Sequence, residues 1–178
     1  MILLVGPSAS GKTEIAKELF NLYKIKKVIT HTTRDKRVGE VNGIDYHFVS
    51  KDEFLSLKEN DYFVETTIYN DNYYGTSKVE LQDDKVIVVD PNGKNTFAAL
   101  NNPHIVIFYI HANDELRKER MISRGDSEEN IAQRLKKDKE YFSDSKKNNS
   151  DYIIINENKS LQEVSEEIYK LYIKKLSQ

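Results

Sequence analysis

Short apolar runs recur along the chain and are separated by longer stretches in which polar and apolar residues are mixed. The first run, residues 2–5, contains no polar residue and is typical of a strand buried on both faces. Four further runs are rich in β-branched and aromatic residues, which favour strands. The pattern therefore predicts five parallel strands, at residues 2–5, 26–30, 85–90, 105–110 and 151–156.

The stretches between several of these runs have the spacing of amphipathic helices. Such stretches lie at about residues 14–23, 93–100, 113–147 in two pieces, and 160–176. The apolar side of the first helix consists of Ile15, Ala16, Leu19, Phe20 and Tyr23. A stripe in the last helix favours core packing over a partner-binding face, and it consists of Leu161, Val164, Ile168, Leu171 and Tyr172. Alternating strands and helices predict an α/β fold with a parallel sheet covered on both faces.

A glycine-rich segment follows the first predicted strand. Residues 6–13, here called the glycine loop, read GPSASGKT and match G-x-x-x-x-G-K-[ST] at every fixed position. Because the segment joins a strand to a helix, it indicates a P-loop rather than an ordinary glycine turn. Backbone N–H groups and the helix N-terminus would hold a polyphosphate, Lys12 would reach its β and γ phosphates, and the Thr13 hydroxyl would bind Mg²⁺. The candidate binding residues are Gly6, Ser8, Ala9, Ser10, Gly11, Lys12 and Thr13.

Residues 31–76 interrupt the alternation of strands and helices. The segment is rich in Tyr and Thr and contains only short extended pieces. Long connections without regular structure are uncommon in compact domains and are usually functional. We therefore expect a second substrate to approach the glycine loop here.

The composition excludes several classes of protein. The net charge of −2 does not favour a nucleic-acid or membrane surface, and the absence of cysteine excludes disulfides and thiolate chemistry. No apolar run is long enough to span a bilayer, and the first strand leaves no room for a signal peptide. We expect a single cytoplasmic domain whose partners are small molecules, and the sequence does not indicate an oligomeric state.

Arginine is used selectively. The chain has 21 Lys but only 6 Arg, which fall in two clusters. Because the guanidinium group binds phosphate in a bidentate way, we interpret most of these arginines as phosphate ligands. Arg117 is the exception and is expected to be a solvated helix residue. The candidate phosphate ligands are Arg34, Arg37, Arg120, Arg124 and Arg134.

Several motifs together resemble the guanylate kinase family. They are the glycine loop, THTTRDKRVGEVNGIDYHFVS, FVE followed by NYYGT, and RMISRGDSEENIAQRL, and they follow the family's order over essentially the whole chain. The resemblance implies transfer of the γ-phosphate of ATP to GMP or dGMP. It also implies a core of residues 1–30, 77–116 and 148–178, a GMP-binding insertion of residues 31–76, and a mobile lid of residues 117–147.

The resemblance also implies a role for individual residues. The GMP phosphate would be bound by Arg34, Arg37, Tyr46 and Tyr74. Guanine would be read by Glu65, Thr30 and Thr76, and a carboxylate suits this task because guanine presents N1–H and an exocyclic NH₂ side by side. The lid arginines would be Arg120, Arg124 and Arg134. Asn156 would line the adenine pocket, and Asp90 would contribute to the acceptor site and hold Mg²⁺ through water.

The sequence departs from the family pattern at some positions. Val88 replaces an aspartate at the end of a predicted strand, Asp35 introduces an acid beside the arginines, and the turn after Arg124 is one residue short. Two alternatives therefore remain: a kinase for another nucleoside monophosphate, and a catalytically weak guanylate-kinase-like module that binds protein. The acceptor oxygen is already anionic, so no general base is needed, and we expect structural roles for His31 and His47. The charged run at residues 136–140 is expected to be solvated.

Overall fold

The computed structural model of the protein describes residues 1–36, 39–69, 71–142 and 150–178. Within them, five strands form a parallel sheet in which the first strand is central. In spatial order these strands are β2 (Lys26–Lys27), β7 (Lys85–Val88), β1 (Ile2–Val5), β8 (Val106–His111) and β9 (Tyr152–Ile155). The predicted parallel sheet is therefore confirmed.

The segment between β2 and β7 forms a second, smaller sheet of mixed direction in the described residues. Its spatial order is β4 (His47–Phe48), β3 (His31–Thr32), β6 (Asn72–Ser77) and β5 (Phe63–Tyr69). Helix α2 (Lys51–Glu59) packs on this sheet through Phe54, whose ring stacks on Phe63 at 4.6 Å between centroids. The insertion thus has a hydrophobic centre of its own.

Helices cover both faces of the parallel sheet. One face packs against α1 (Lys12–Tyr23) and α6 (Leu161–Leu176), and the other packs against α3 (Pro91–Ala99). The stripe predicted in the last helix is confirmed as core packing, because Val164, Ile168 and Tyr172 are buried. No helix among the described residues is long and apolar enough to cross a membrane.

Two further helices, α4 (Asp114–Ser123) and α5 (Glu128–Tyr141), form the predicted two-piece helical segment. Asn113 caps the first by accepting a hydrogen bond from Leu116 N, and Ser127 caps the second by accepting one from Asn130 N. The break between the helices includes Gly125, which has a positive φ of 85°. Local capping and a left-handed glycine therefore set these boundaries.

Two expectations about the first βα unit need correction. The second strand was expected at residues 26–30 but ends at Lys27, because the chain turns toward the smaller sheet, where Thr30 O accepts from His47 N at 2.9 Å. Phe20 was placed on the apolar side of α1 but is 47% exposed. The buried residues of α1 are Ile15, Ala16 and Leu19, so Phe20 lies at the edge of the apolar side.

Candidate functional site

The glycine loop leaves β1 at the carboxyl edge of the sheet and leads into α1. Gly6 has φ +153° and Gly11 has φ +100°, and a Cβ atom at either position would lie 2.3 Å from a neighbouring atom. That atom is Ile110 O for Gly6 and Asn156 Nδ2 for Gly11. Ala9 also adopts a left-handed conformation, with φ 59°, which costs an L-residue about 1 kcal/mol. At Ala9 the loop therefore holds a conformation that this residue type does not favour, whereas Gly6 and Gly11 suit theirs.

Lys12 folds back over the loop from the first turn of α1. Its Nζ donates to Gly6 O and Pro7 O, both at 2.7 Å, and lies 3.4 Å from Ser10 Oγ. Burial lowers the pKa of Lys12 to about 8, while the nearby carboxylate of Asp138 acts in the opposite direction. The ammonium group is therefore mostly charged at neutral pH and is held at the mouth of the loop.

Side chains from distant segments bind the outer side of the loop. Arg117 Nε donates to Ser8 O at 2.8 Å, Arg120 Nη1 donates to Ala9 O at 3.2 Å, and Asn156 Nδ2 donates to Ser10 O at 2.8 Å. The expectation that Arg117 is solvated is wrong, because its side chain is 4% exposed and forms an ion pair with Asp138. The charged run at residues 136–140 was also expected to be solvated. This expectation is wrong for Asp138, which is buried.

A first cavity, of about 520 Å³, opens on the α4 side of the loop. It contains the expected adenine-pocket residue, Asn156, together with Lys12 and Thr13. Two of the expected lid arginines also line it, Arg120 and Arg124. Arg124 is held in place by Asp126 through Nε at 2.9 Å and Nη2 at 2.6 Å.

A second cavity, of about 590 Å³, lies on the other side of Lys12. The third expected lid arginine, Arg134, lines it together with Asp90 and Val88. Asp90 follows β7 and caps α3, because its Oδ1 accepts from Gly93 N at 2.8 Å. Lys12 lines both this cavity and the first one.

The smaller sheet brings together the residues expected to read guanine. Glu65 and Thr76 face each other on β5 and β6, and the Thr76 hydroxyl donates to Glu65 Oε1 at 2.8 Å. Burial raises the pKa of Glu65, and the negative charge of Asp90 raises it further. Thr30, which comes directly before β3, lines a third cavity, of about 810 Å³, with Tyr46 and Thr13.

The residues expected to bind the acceptor phosphate form a cluster of aromatic rings around one guanidinium group. The Arg34 guanidinium lies 5.4 Å from the Tyr46 ring centroid, and the Tyr46 and Tyr74 rings lie edge to face at 6.2 Å. Arg34 Nη2 donates to Glu40 Oε1 at 2.7 Å, which raises the pKa of Arg34. The expected fourth member, Arg37, lies outside the described residues.

Comparison with known proteins shows which family this arrangement belongs to. A family model described as guanylate kinase matches residues 1–174. The chain belongs to the guanylate kinase family. It is 37% identical over 194 residues to the guanylate kinase of Mycoplasmopsis pulmonis, covering 98% of this chain and 94% of that protein. It is 33% identical over 166 residues to the guanylate kinase of Desulfotalea psychrophila, covering 88% and 81%.

Solved structures agree with the family assignment. The crystal structure of guanylate kinase from Anaplasma phagocytophilum has a TM-score of 0.68 and 26% identity, covering 100% of this chain and 86% of that chain. A shikimate kinase from Acinetobacter baumannii has a TM-score of 0.55 at 14% identity, a likeness in fold alone. The chain is thus a nucleotide-binding transferase of the guanylate kinase family, with ATP and GMP as its substrates.

Sequence reasoning missed two carboxylates that contact residues of the candidate site. Glu40 holds Arg34, and its place in the segment VGEV gave no indication of a partner. Asp138 accepts from Ser8 N at 2.9 Å, yet it lies in a run of charges that is typical of a solvated helix. One signal was available for Asp138: it lies four residues after Arg134 and therefore on the same face of α5.

His31 and His47 lie within the insertion rather than at the glycine loop. His31 is buried, and its ring contacts His47 at 4.5 Å and Phe63 at 5.3 Å between centroids. Burial, together with the neighbouring His47, lowers the pKa of His31 to about 4. A neutral ring packed among aromatic side chains supports the structural role expected for His31.

Proposed function

We propose that the glycine loop is the P-loop that binds ATP, and that the smaller sheet binds GMP on the other side of Lys12. The reaction itself, ATP-dependent phosphorylation of GMP, follows from family membership. Two observations carry the assignment of sides: Lys12 lines both the first and the second cavity, and the charge of Asp90 in the second cavity raises the pKa of Glu65 on the smaller sheet. A cation at the position of Lys12 can contact the γ-phosphoryl group as it leaves one nucleotide and reaches the other.

ATP occupies the first cavity in this proposal. Its phosphates lie on the loop backbone from Gly6 to Thr13, where the N-terminus of α1 contributes partial positive charge. Its adenine lies near Asn156, at the turn between β9 and α6. Arg120 and Arg124 line the same cavity and stabilise negative charge on the transferring group.

GMP lies between the two sheets in this proposal. Its phosphate is bound by Arg34, Tyr46 and Tyr74, with Arg37 as a further ligand. Its base is read by Glu65 and Thr76, and Thr30 contributes a hydroxyl from the neighbouring cavity. The half-buried Glu65 carboxylate would accept two hydrogen bonds from guanine and would lose both with adenine, so the site selects against AMP.

The chain offers oxygen ligands for Mg²⁺. The Thr13 hydroxyl and the Asp90 carboxylate flank Lys12, and both are ligand types that Mg²⁺ prefers. The described residues contain no group of three acidic, His or Cys side chains able to hold a metal ion, so phosphates and water would complete the coordination. When bound, Mg²⁺ would neutralise charge on the ATP phosphates.

The chain's own groups act by position and charge. The GMP phosphate is an anion at neutral pH, so no general base is needed, and the difficulty is to bring two anions together. Lys12, Arg120, Arg124 and Arg134 supply positive charge from both sides. We assign α4 and α5 to a lid and the cytoplasm as the site of action, and lid closure would exclude water from the transferring group.

The test is steady-state transfer by the Lys12→Met variant. We expect kcat to fall about 10²-fold or more, because one preorganised charge at the transferring group is lost. Lys170→Met is the matched control, since Lys170 pairs with Glu166 on the surface of α6. A Lys12→Met variant with near-normal turnover would contradict the assignment of the glycine loop.

The alternative of a protein-binding module is not favoured. It predicts a degraded loop, whereas Lys12 and Thr13 line the first cavity with two arginines. The alternative of another nucleoside monophosphate is not favoured either, because the half-buried Glu65 suits guanine.

A further inference from the structure

Arg117 and Asp138 form an ion pair behind the glycine loop that no step of the proposed reaction uses. Their side chains are 4% and 10% exposed, and they join α4 to α5. Arg117 Nη1 also donates to Asp114 Oδ1 at 2.8 Å. A buried ion pair contributes little stability compared with well-packed apolar residues, so stability alone does not account for this pair.

Arg117 and Asp138 bind the backbone C=O and N–H groups of Ser8 in the glycine loop. Ser8 N donates to Asp138 Oδ2 at 2.9 Å, and Ser8 O accepts from Arg117 Nε at 2.8 Å. The Ser8 hydroxyl lies 3.4 Å from Asp138 Oδ1 as well. The two peptide groups on either side of Ser8 are therefore fixed by side chains from the two helices.

The orientation of the next peptide group follows from this contact. In a planar trans peptide the C=O and N–H bonds point in opposite directions. Since Ser8 O points to the buried Arg117 guanidinium, the N–H of Ala9 points in the opposite direction, away from that group. Ala9 lines the first cavity, where ATP is proposed to bind.

The conformation of Ala9 makes this support necessary. A φ of 59° is unfavourable for alanine, so a loop without outside contacts would populate other conformations. A backbone donor that must first be ordered binds phosphate more weakly than one already in place. Preorganisation by the pair therefore contributes to ATP affinity.

We propose that Arg117 and Asp138 are positioning residues for ATP, which hold the two peptide groups on either side of Ser8 so that the Ala9 N–H faces the donor phosphates. The inference rests on the proposed role of the glycine loop as the donor site. It assigns no contact with GMP to either residue.

The main test is the double variant Arg117→Met/Asp138→Ala. It removes one positive and one negative charge together, so the net charge of the site is unchanged. We expect the Kd for ATP, titrated without GMP, to rise about fivefold, as for the loss of one orienting hydrogen bond. The KM for ATP should rise with it, while the KM for GMP stays within about twofold.

Arg117→Lys provides an independent test if the double variant does not fold. Lysine keeps the charge opposite Asp138, but its single ammonium group cannot reproduce the fork that contacts Ser8 O and Asp138 together. We expect its Kd for ATP to rise as well, although the ion pair is retained.

The matched control removes a different ion pair, Glu80 with Lys85, whose side chains are 11% and 13% exposed. Glu80→Gln/Lys85→Met should lower the urea midpoint but leave the Kd for ATP within about twofold. An unchanged Kd in the folded double variant and in Arg117→Lys would overturn the proposal, and so would a lower Kd, which would make Asp138 an anion that competes with ATP. If the wild type binds ATP but does not phosphorylate GMP, the proposed function fails while these binding results still decide the positioning role.

Discussion

Thr76 and Glu65 are joined by a hydrogen bond across the two long strands of the smaller sheet, at 2.8 Å from hydroxyl to carboxylate. Thr76 is 1% exposed, and the register of the strands shifts between Phe63 and Glu65. Burial raises the pKa of Glu65 and so disfavours its ionised form. The Thr76 hydroxyl therefore both orients the Glu65 carboxylate and stabilises its negative charge.

Thr76→Val tests this orienting role. The variant keeps the shape of the side chain but removes the hydroxyl, so the KM for GMP should rise about threefold to tenfold. The ATP affinity should not change. Ser77→Ala is the control, because the buried Ser77 hydroxyl has no hydrogen-bond partner in the described part of the chain. A Thr76→Val enzyme with a normal KM for GMP would show that the hydroxyl does not position Glu65.

Arg34→Lys tests the acceptor phosphate site. Glu40 and the Tyr46 ring hold the planar guanidinium group, which lysine cannot replace in shape. We expect the KM for GMP to rise about tenfold or more, as for the loss of a charged hydrogen bond. Lys36→Met, at an exposed position two residues away, should leave it unchanged. An Arg34→Lys enzyme with a normal KM for GMP would contradict the assignment of this guanidinium group to the acceptor phosphate.

His31 should make the free energy of unfolding depend on pH. Its folded pKa of about 4 lies below the ordinary value of 6.5, so between these values the unfolded chain binds more protons than the folded one. Stability is therefore lost as the pH falls from about 6.5 toward 4, by up to about 3 kcal/mol. Urea unfolding at pH 7 and pH 5 measures this loss. His31→Phe should show a smaller loss than the wild type, and an equal loss would contradict the prediction.

Closure of the insertion and the lid is a prediction about motion. Residues 31–76 and 117–147 should gain hydrogen-exchange protection when a bisubstrate analogue binds, because an open cleft cannot exclude water during transfer. The backbone amides of β1 and β8 serve as the internal reference for exchange, because both strands lie inside the parallel sheet. Equal protection with and without the analogue in both segments would contradict the closing lid.

The elements that were predicted correctly are those whose signal lies within a few residues. The order of apolar, glycine and polar residues was enough to predict three of them: the buried run at residues 2–5, the glycine loop and the stripe in α6. Arg117 and Asp138 were misjudged because their burial depends on a contact with Ser8 about a hundred residues earlier. The roles of the site residues stay predictions, since the fold brings them together without showing what they bind.

The most direct test of the account is the substrate preference of the wild type and of Glu65→Ser. The wild type should form ADP from ATP with GMP, and far less with AMP, UMP or dTMP, since sites that pair polar substrate groups can discriminate by about 10⁴. Glu65→Ser should have a much lower kcat/KM for GMP, and the ratio of kcat/KM for GMP to that for AMP should become smaller. Its affinity for ATP should equal that of the wild type. Glu59→Gln, at an exposed position at the end of α2, is the control. An unchanged GMP-to-AMP ratio in Glu65→Ser would contradict the claim that this carboxylate selects the base.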